Sequence, residues 1–137
     1  ELVSAVICYK CQNLMVEEAT FDSLPTSDGA LYVEDALNPS PSDGALGISK
    51  ISKSTFKRNY GSNGGAIQVI NPSQRIFIDD CRFEENEAEV YGGALFFSMK
   101  KRSKVALLVN NSNFIKNSAE LAGGAIYSET LPVLCIS

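Results

Sequence analysis

The chain of 137 residues contains no histidine and no tryptophan, and only 2 methionines. Without histidine the commonest general base and the commonest neutral metal ligand are missing. A Ser-His-Asp or Cys-His catalytic site therefore cannot be assembled from this chain alone. No run approaches the ~20 continuous apolar residues that a transmembrane helix needs. Positive charge is also scarce: 12 Lys and Arg stand against 16 Asp and Glu, for a formal net charge of −4, which argues against nucleic acid as a main partner. The one basic cluster, Lys100 to Lys104, is short and reads as a solvated loop. The opening "ELVSAVICYKC" lacks a basic leader and does not read as an intact signal peptide, which suggests a mature or excised segment. At 45% hydrophobic and 20% charged, the chain has the composition of a folded domain rather than a disordered one.

What the sequence does have is repetition. "STFKRNYGSNGGAI", "CRFEENEAEVYGGAL" and "SNFIKNSAELAGGAI" each read Phe-x-x-Asn, a short polar stretch, then Gly-Gly-Ala and an aliphatic residue. The pairs are Phe56 with Asn59, Phe83 with Asn86 and Phe114 with Asn117. The triplets are Gly64-Gly65-Ala66, Gly92-Gly93-Ala94 and Gly123-Gly124-Ala125. Upstream of each Phe an aliphatic and a small residue keep fixed spacing: Ile51 and Ser54, Ile78 and Cys81, Val109 and Ser112. A degenerate copy runs through Val16, Ala19 and Phe21 to Asp28-Gly29-Ala30-Leu31, with Leu24 where the others have Asn. A second "SDGAL" at Ser42 to Leu46 has no Phe-x-x-Asn before it and reads as an insertion or partial coil.

Short alternating segments rich in β-branched, aromatic and small residues, separated by polar breaks, read as strands. "EENEAEV" has helical character, but its sister segments "KRNYGSN" and "IKNSAEL" do not, so a helix is rejected there. A period near 30 with turns in register predicts an all-β, right-handed parallel β-helix of about four coils, with pectin-lyase-like architecture. Equivalent residues would then stack about 4.8 Å apart on successive coils. The Phe residues should form an inward stack, and each Asn should occupy a turn, bonding stranded backbone groups and tolerating the left-handed conformation. The expected division is one β-helix segment over 1–137, part of a longer solenoid, with a degenerate coil at about 16–50 and clear repeats at about 51–77, 78–108 and 109–137.

These residues resemble the repeats of the chlamydial polymorphic membrane proteins, whose passenger domains pair Phe-x-x-Asn with Gly-Gly-Ala-aliphatic motifs. The resemblance covers residues 51–127 well and 16–31 loosely. It implies a secreted, surface-displayed β-helix, often adhesive, in which the motif residues are structural, so no catalytic residue carries over. The expected departure from that family is the lack of a C-terminal membrane barrel and of an intact leader.

The remaining candidates are few. Cys8-x-x-Cys11 has zinc-knuckle or redox spacing, yet no second pair completes a metal site, and no cofactor is expected. Disulfides involving Cys8, Cys11 and Cys135 would suit an extracellular chain, while Cys81 should be a buried free thiol. Asp79, Asp80, Glu84, Glu85, Glu87 and Glu89 gather around one repeat, as the carboxylates of pectate-lyase and polygalacturonase β-helices do. Their sister repeats carry no acidic counterparts, which weighs against a catalytic groove. Tyr60, Tyr91 and Tyr127 suggest a glycan-reading ladder, but Tyr127 follows its Gly-Gly pair while the others precede theirs. Asn110-Asn111-Ser112 is the N-glycosylation sequon, making Asn110 the candidate acceptor. The expected function is a non-enzymatic extracellular structural or adhesive module, rod- or fibre-forming, with a carbohydrate-active enzyme or glycan-binding protein as the alternative. Expected partners are end-to-end copies of itself or neighbouring coils of a longer chain, and a surface receptor or glycan.

Overall fold

A computed structural model describes residues 4–9, 13–34, 48–72, 75–98, 106–129 and 133–136. These residues form strands and turns, with no helix among them. Val6–Tyr9 (β1) precedes a first coil of Met15–Glu17 (β2), Thr20–Asp22 (β3) and Leu31–Glu34 (β4). The second coil is Ile48–Ser52 (β5), Thr55–Lys57 (β6), Tyr60–Asn63 (β7) and Ile67–Ile70 (β8). The third is Arg75–Asp79 (β9), Arg82–Glu84 (β10), Glu87–Tyr91 (β11) and Leu95–Ser98 (β12). The fourth is Ala106–Asn110 (β13), Asn113–Ile115 (β14), Ser118–Ala119 (β15) and Ile126–Glu129 (β16), after which Val133–Ile136 (β17) begins another turn.

Strands pair only with their counterparts on neighbouring coils, always in parallel. Four stacked sheets result, ordered β2-β5-β9-β13-β17, β3-β6-β10-β14, β7-β11-β15 and β1-β4-β8-β12-β16. This is the arrangement of a parallel β-helix. The register places Phe21, Phe56, Phe83 and Phe114 opposite one another. Their rings stack with centroids 4.8, 5.0 and 4.7 Å apart and planes within 8° of parallel. Beside them run the aliphatic rows Val16–Ile51–Ile78–Val109 and Leu31–Ile67–Leu95. A single coil has no second layer to cover its apolar face, so stacking is what creates the core.

The corners follow a rule that the side chains do not announce. Between the first and second sheets every coil turns at a residue of positive φ: Glu18, Lys53, Asp80 and Asn111. Between the second and third sheets the same happens at Ser23, Arg58, Glu85 and Lys116. All eight are unbranched at Cβ, as the left-handed region demands. The expectation that the repeat Asn adopts this conformation is corrected: the residue before it does. Corner amides are satisfied by the next coil, as when Arg58 N donates to Glu84 O at 2.9 Å and Glu85 N to Ile115 O at 2.8 Å. Those bonds offset a conformational cost of roughly 1–2 kcal/mol per non-glycine left-handed residue.

Candidate functional site

The buried polar groups come first, because in a repeat of this kind they are either machinery or scaffold. Asn59 and Asn86 are 1% and 0% exposed. Asn86 Oδ1 accepts from both Asn59 N and Asn59 Nδ2 at 3.0 Å, and Asn86 Nδ2 donates to Phe56 O at 2.9 Å and to Asn117 Oδ1 at 3.0 Å. Asn59 Nδ2 reaches Phe21 O, and Asn117 Nδ2 reaches Phe83 O, each at 3.0 Å. Each amide thus ties its own coil to the one before it, and the ladder ends at Leu24, whose N–H donates to Asn59 Oδ1 at 3.1 Å. These side chains are fully used by the fold, leaving none to meet a ligand.

The small position makes a second ladder. Ser54 Oγ donates to Ser52 O at 2.8 Å and accepts from Ala19 N at 3.2 Å, and Ser112 Oγ donates to Asn110 O at 2.8 Å and accepts from Cys81 N at 3.2 Å. Cys81 occupies the same corner in the third coil as a buried free thiol, and burial raises its pKa. Cys8 is 2% exposed in β1 and disulfide-bonded. Cys11 lies outside the described residues, and for Cys135 only the backbone, in β17, is described. The "SDGAL" at Ser42 to Leu46 and the basic cluster Lys100 to Lys104 also fall outside them. Asn110 ends β13 on the exposed outer surface, while the hydroxyl of its sequon, on Ser112, is engaged at the corner.

The six carboxylates of the third coil do not converge. Asp79 ends β9, Asp80 and Glu85 are corners, Glu84 ends β10, and Glu87 and Glu89 lie on β11, so three sheet faces share them. Instead three of them, Asp80, Glu84 and Glu85, alternate in sign with neighbouring coils. Asp22, Lys57 and Glu84 share one column, and Glu18, Lys53 and Asp80 another. A third runs Arg58, Glu85, Lys116. Arg58 also bridges to Asp22 at 3.0 Å, and the Ser23 hydroxyl followed by this guanidinium lowers the Asp22 pKa. Such exposed pairs each contribute ~0–1 kcal/mol. The residues were legible once the repeats were laid over each other; the signal lay in comparing charge across copies rather than within one. Among the described residues, no three metal-binding side chains form a group.

The outer face of the sheet holding β4, β8, β12 and β16 carries the row Tyr32, Gln68, Phe96, Tyr127. Tyr91 stacks on Tyr127 at 4.4 Å, and Phe96 lies 5.7 Å from Tyr127. Register pairs Tyr60 with Glu87 and Tyr91 with Asn63, so Tyr60 and Tyr91 are not equivalent and the three tyrosines form no ladder. Tyr60 opens β7 whereas Tyr91 closes β11, and the register shifts between Ala88 and Tyr91. Tyr91 therefore sits beside the Gly-Gly corner, within reach of Tyr127 on the outer face of the next coil. Gln68, with its amide oriented to donate, likewise reaches the carbonyls of Asn63 and Asp28, both at 3.1 Å. Phe96 and Gln68 are only 5% and 7% exposed, so most of this row is closed by the corner. Burial and then Glu34 raise the pKa of Asp28; burial and a hydrogen bond with Glu34 push Tyr32 up to about 12. Elsewhere, Lys50, Phe77, Leu108 and Asn110 line a groove of about 260 Å³ on the outer face of the β5-β9-β13 sheet.

Residues 111–129, most of the fourth coil, match the family model described as the Chlamydia polymorphic membrane protein (Chlamydia_PMP) repeat, so the chain carries a repeat of that family. Comparison with curated proteins and with solved structures gives no match.

Proposed function

We propose that the chain is a non-enzymatic structural or adhesive module, a right-handed β-helix of the pectin-lyase type held at the outer surface of a cell. The observation that carries this reading is the use of every described repeat side chain, Phe and Asn alike, to join coil to coil, with none converging on a reaction centre. The matched repeat, that of a polymorphic membrane protein of Chlamydia, supports a surface location. The right hand is the one that parallel β-crossovers take. The biology then resides in the outer face and loops, engaging a receptor or glycan, and in the stacking of further coils or copies.

A specific observation favours a second reading, glycan binding: the Tyr91–Tyr127 pair forms an aromatic platform on the outer face of the sheet that holds β16. Two experiments test these proposals together. Antibody raised against the chain should label intact producing cells; labelling only after permeabilisation sinks the surface assignment. Incubation with polygalacturonate should release no unsaturated uronides, and their appearance would make the chain an enzyme. Binding to a glycan array that Tyr127→Ala abolishes would move the function to the tyrosine platform.

A further inference from the structure

One phenylalanine has no place in the scaffold. Phe21, Phe56, Phe83 and Phe114 stack in the core, Phe97 is buried, and Phe96 and Tyr91 stack on Tyr127. Phe77 is only half-buried and joins no ring pair among the described residues. Ile76 and Ile78 on either side of it are each 1% exposed, so strand alternation turns Phe77 to the outer face. Its column runs Met15, Lys50, Phe77, Leu108 over four coils. A thioether, an ammonium, a ring and an aliphatic chain share no chemistry, unlike the inward column Val16, Ile51, Ile78, Val109 beside it. Stacking therefore does not account for an aromatic ring at this position.

The groove of about 260 Å³ lies over this ring. Phe77 and Leu108, opposite each other in register, make its apolar floor, and Asp79 and Asn110, paired at the next outward position, make a polar wall. Lys50 flanks Phe77 from the preceding coil and makes no ion pair among the described residues. Asp79 Oδ1 accepts from Asn111 Nδ2 at a long 3.4 Å, which uses only part of what a carboxylate can accept. One cation and one anion balance, so the lining favours a neutral ligand. Asp79 accepts, Lys50 donates and the Asn110 amide does both, which suits hydroxyl groups that also do both. An apolar floor below such groups matches a ring with a hydrocarbon face and a hydroxylated edge. The volume lies below the ~300–1,000 Å³ of sites for drug-sized molecules, so it suits one ring. A protein partner burying ~800 Å² per side needs far more surface than a groove three strands, or about 10 Å, across.

We propose that this groove binds one neutral hexopyranose unit of a glycan. The hydrocarbon face of the sugar lies on Phe77 and Leu108, and its hydroxyls meet Asp79, Asn110 and Lys50. The inference rests on the proposed engagement of a glycan by the outer face. It places that contact on the β5-β9-β13 sheet rather than on the Tyr91–Tyr127 platform. No bond is made or broken, and the sugar leaves unchanged.

The test titrates the isotope-labelled full chain with methyl β-glucoside, methyl β-galactoside and methyl α-mannoside while backbone amide shifts are followed by nuclear magnetic resonance. At least one should give saturable shifts centred on Phe77, Asp79, Leu108 and Asn110. A Kd of about 1 mM is expected of so small a ligand in an open groove. Asp79→Asn, which removes a charged acceptor at the surface, should weaken binding by about tenfold or more and melt like the parent. Phe77→Ala should abolish saturation, and should that variant unfold, Asp79→Asn decides alone. Tyr127→Ala should leave the titration unchanged. The proposal is overturned if no neutral glycoside gives saturable shifts, if the shifts centre on Tyr91 and Tyr127, or if Asp79→Asn binds as the parent does. Glucuronate binding more tightly than all three glycosides would also overturn it. A glycan array that still binds through Tyr127 would keep glycan recognition and remove this site, so the two failures are distinguishable.

Discussion

Replacing Asn86 by alanine should be among the most damaging single changes in the chain, although it removes no apolar contact of consequence. The residue is 0% exposed and takes part in four side-chain hydrogen bonds of 2.9–3.0 Å. Truncation leaves Asn59 N–H buried without its acceptor, at about 1–3 kcal/mol. Asn59 Nδ2 retains Phe21 O, and Asn117 Oδ1 retains Asn86 N, so those losses are partial. The remaining bonds, at ~0.5–1.5 kcal/mol each, bring the total to about 3–5 kcal/mol. That is a large share of the ~5–15 kcal/mol by which domains are stable. Urea unfolding followed by far-ultraviolet circular dichroism would read it as a lower midpoint at unchanged slope. Asn86→Asp sharpens the test. It keeps the shape and both acceptor roles but cannot donate to Phe56 O when ionised, so the folded state binds its proton more tightly than the unfolded state. Its stability should therefore be better at acid pH and should fall as pH rises above the ordinary carboxylate range. A loss below ~1 kcal/mol for the alanine variant, or no pH dependence for the aspartate one, would refute the view that the amide ladder holds the coils together.

Other expectations follow from the same geometry. Gly93→Ala should prevent folding or cost several kcal/mol, because its Cβ meets backbone of the fourth coil on two sides; soluble expression and circular dichroism decide it. Cys81→Ser should be tolerated to within about 1 kcal/mol, since Ser54 and Ser112 already fill that corner, whereas Cys81→Val, which lacks a donor for Asp79 O, should be clearly worse in thermal melts. Asp28 has its pKa raised above 3.8, so its contribution is most favourable below that value and declines as pH rises through the window above it. Asp28→Asn should accordingly stabilise the protein at neutral pH, with the gain vanishing in acid. In a spectrophotometric titration, Tyr32→Phe should remove a tyrosine that ionises near pH 12, leaving the rest of the curve in place.

The ladders were readable in the sequence because stacking makes every coil solve the same packing problem at the same position. Phe56, Phe83 and Phe114 recur since only a flat ring continues a column of rings, and even the degenerate first copy placed Phe21 correctly. The asparagines were legible as structural residues, and the match over 111–129 falls on the last clear copy. Their conformation was not legible. Positive φ belongs to Arg58, Glu85 and Lys116, whose side chains point outward and are free to vary, so they carry no common chemical mark.

What the sequence determined by itself was the period, the inward columns and the exclusion of histidine chemistry, all consequences of residue identity recurring along one dimension. Only the tertiary structure decided what lies across a corner. Tyr91 meets Tyr127, and Gln68 meets Asn63 and Asp28, across the Gly-Gly corner. Gly64 and Gly65 look alike as letters, but the first is set by its positive φ and the second by the backbone of the coil above it. The second constraint is steric contact between coils, which exists only once the chain has wound upon itself.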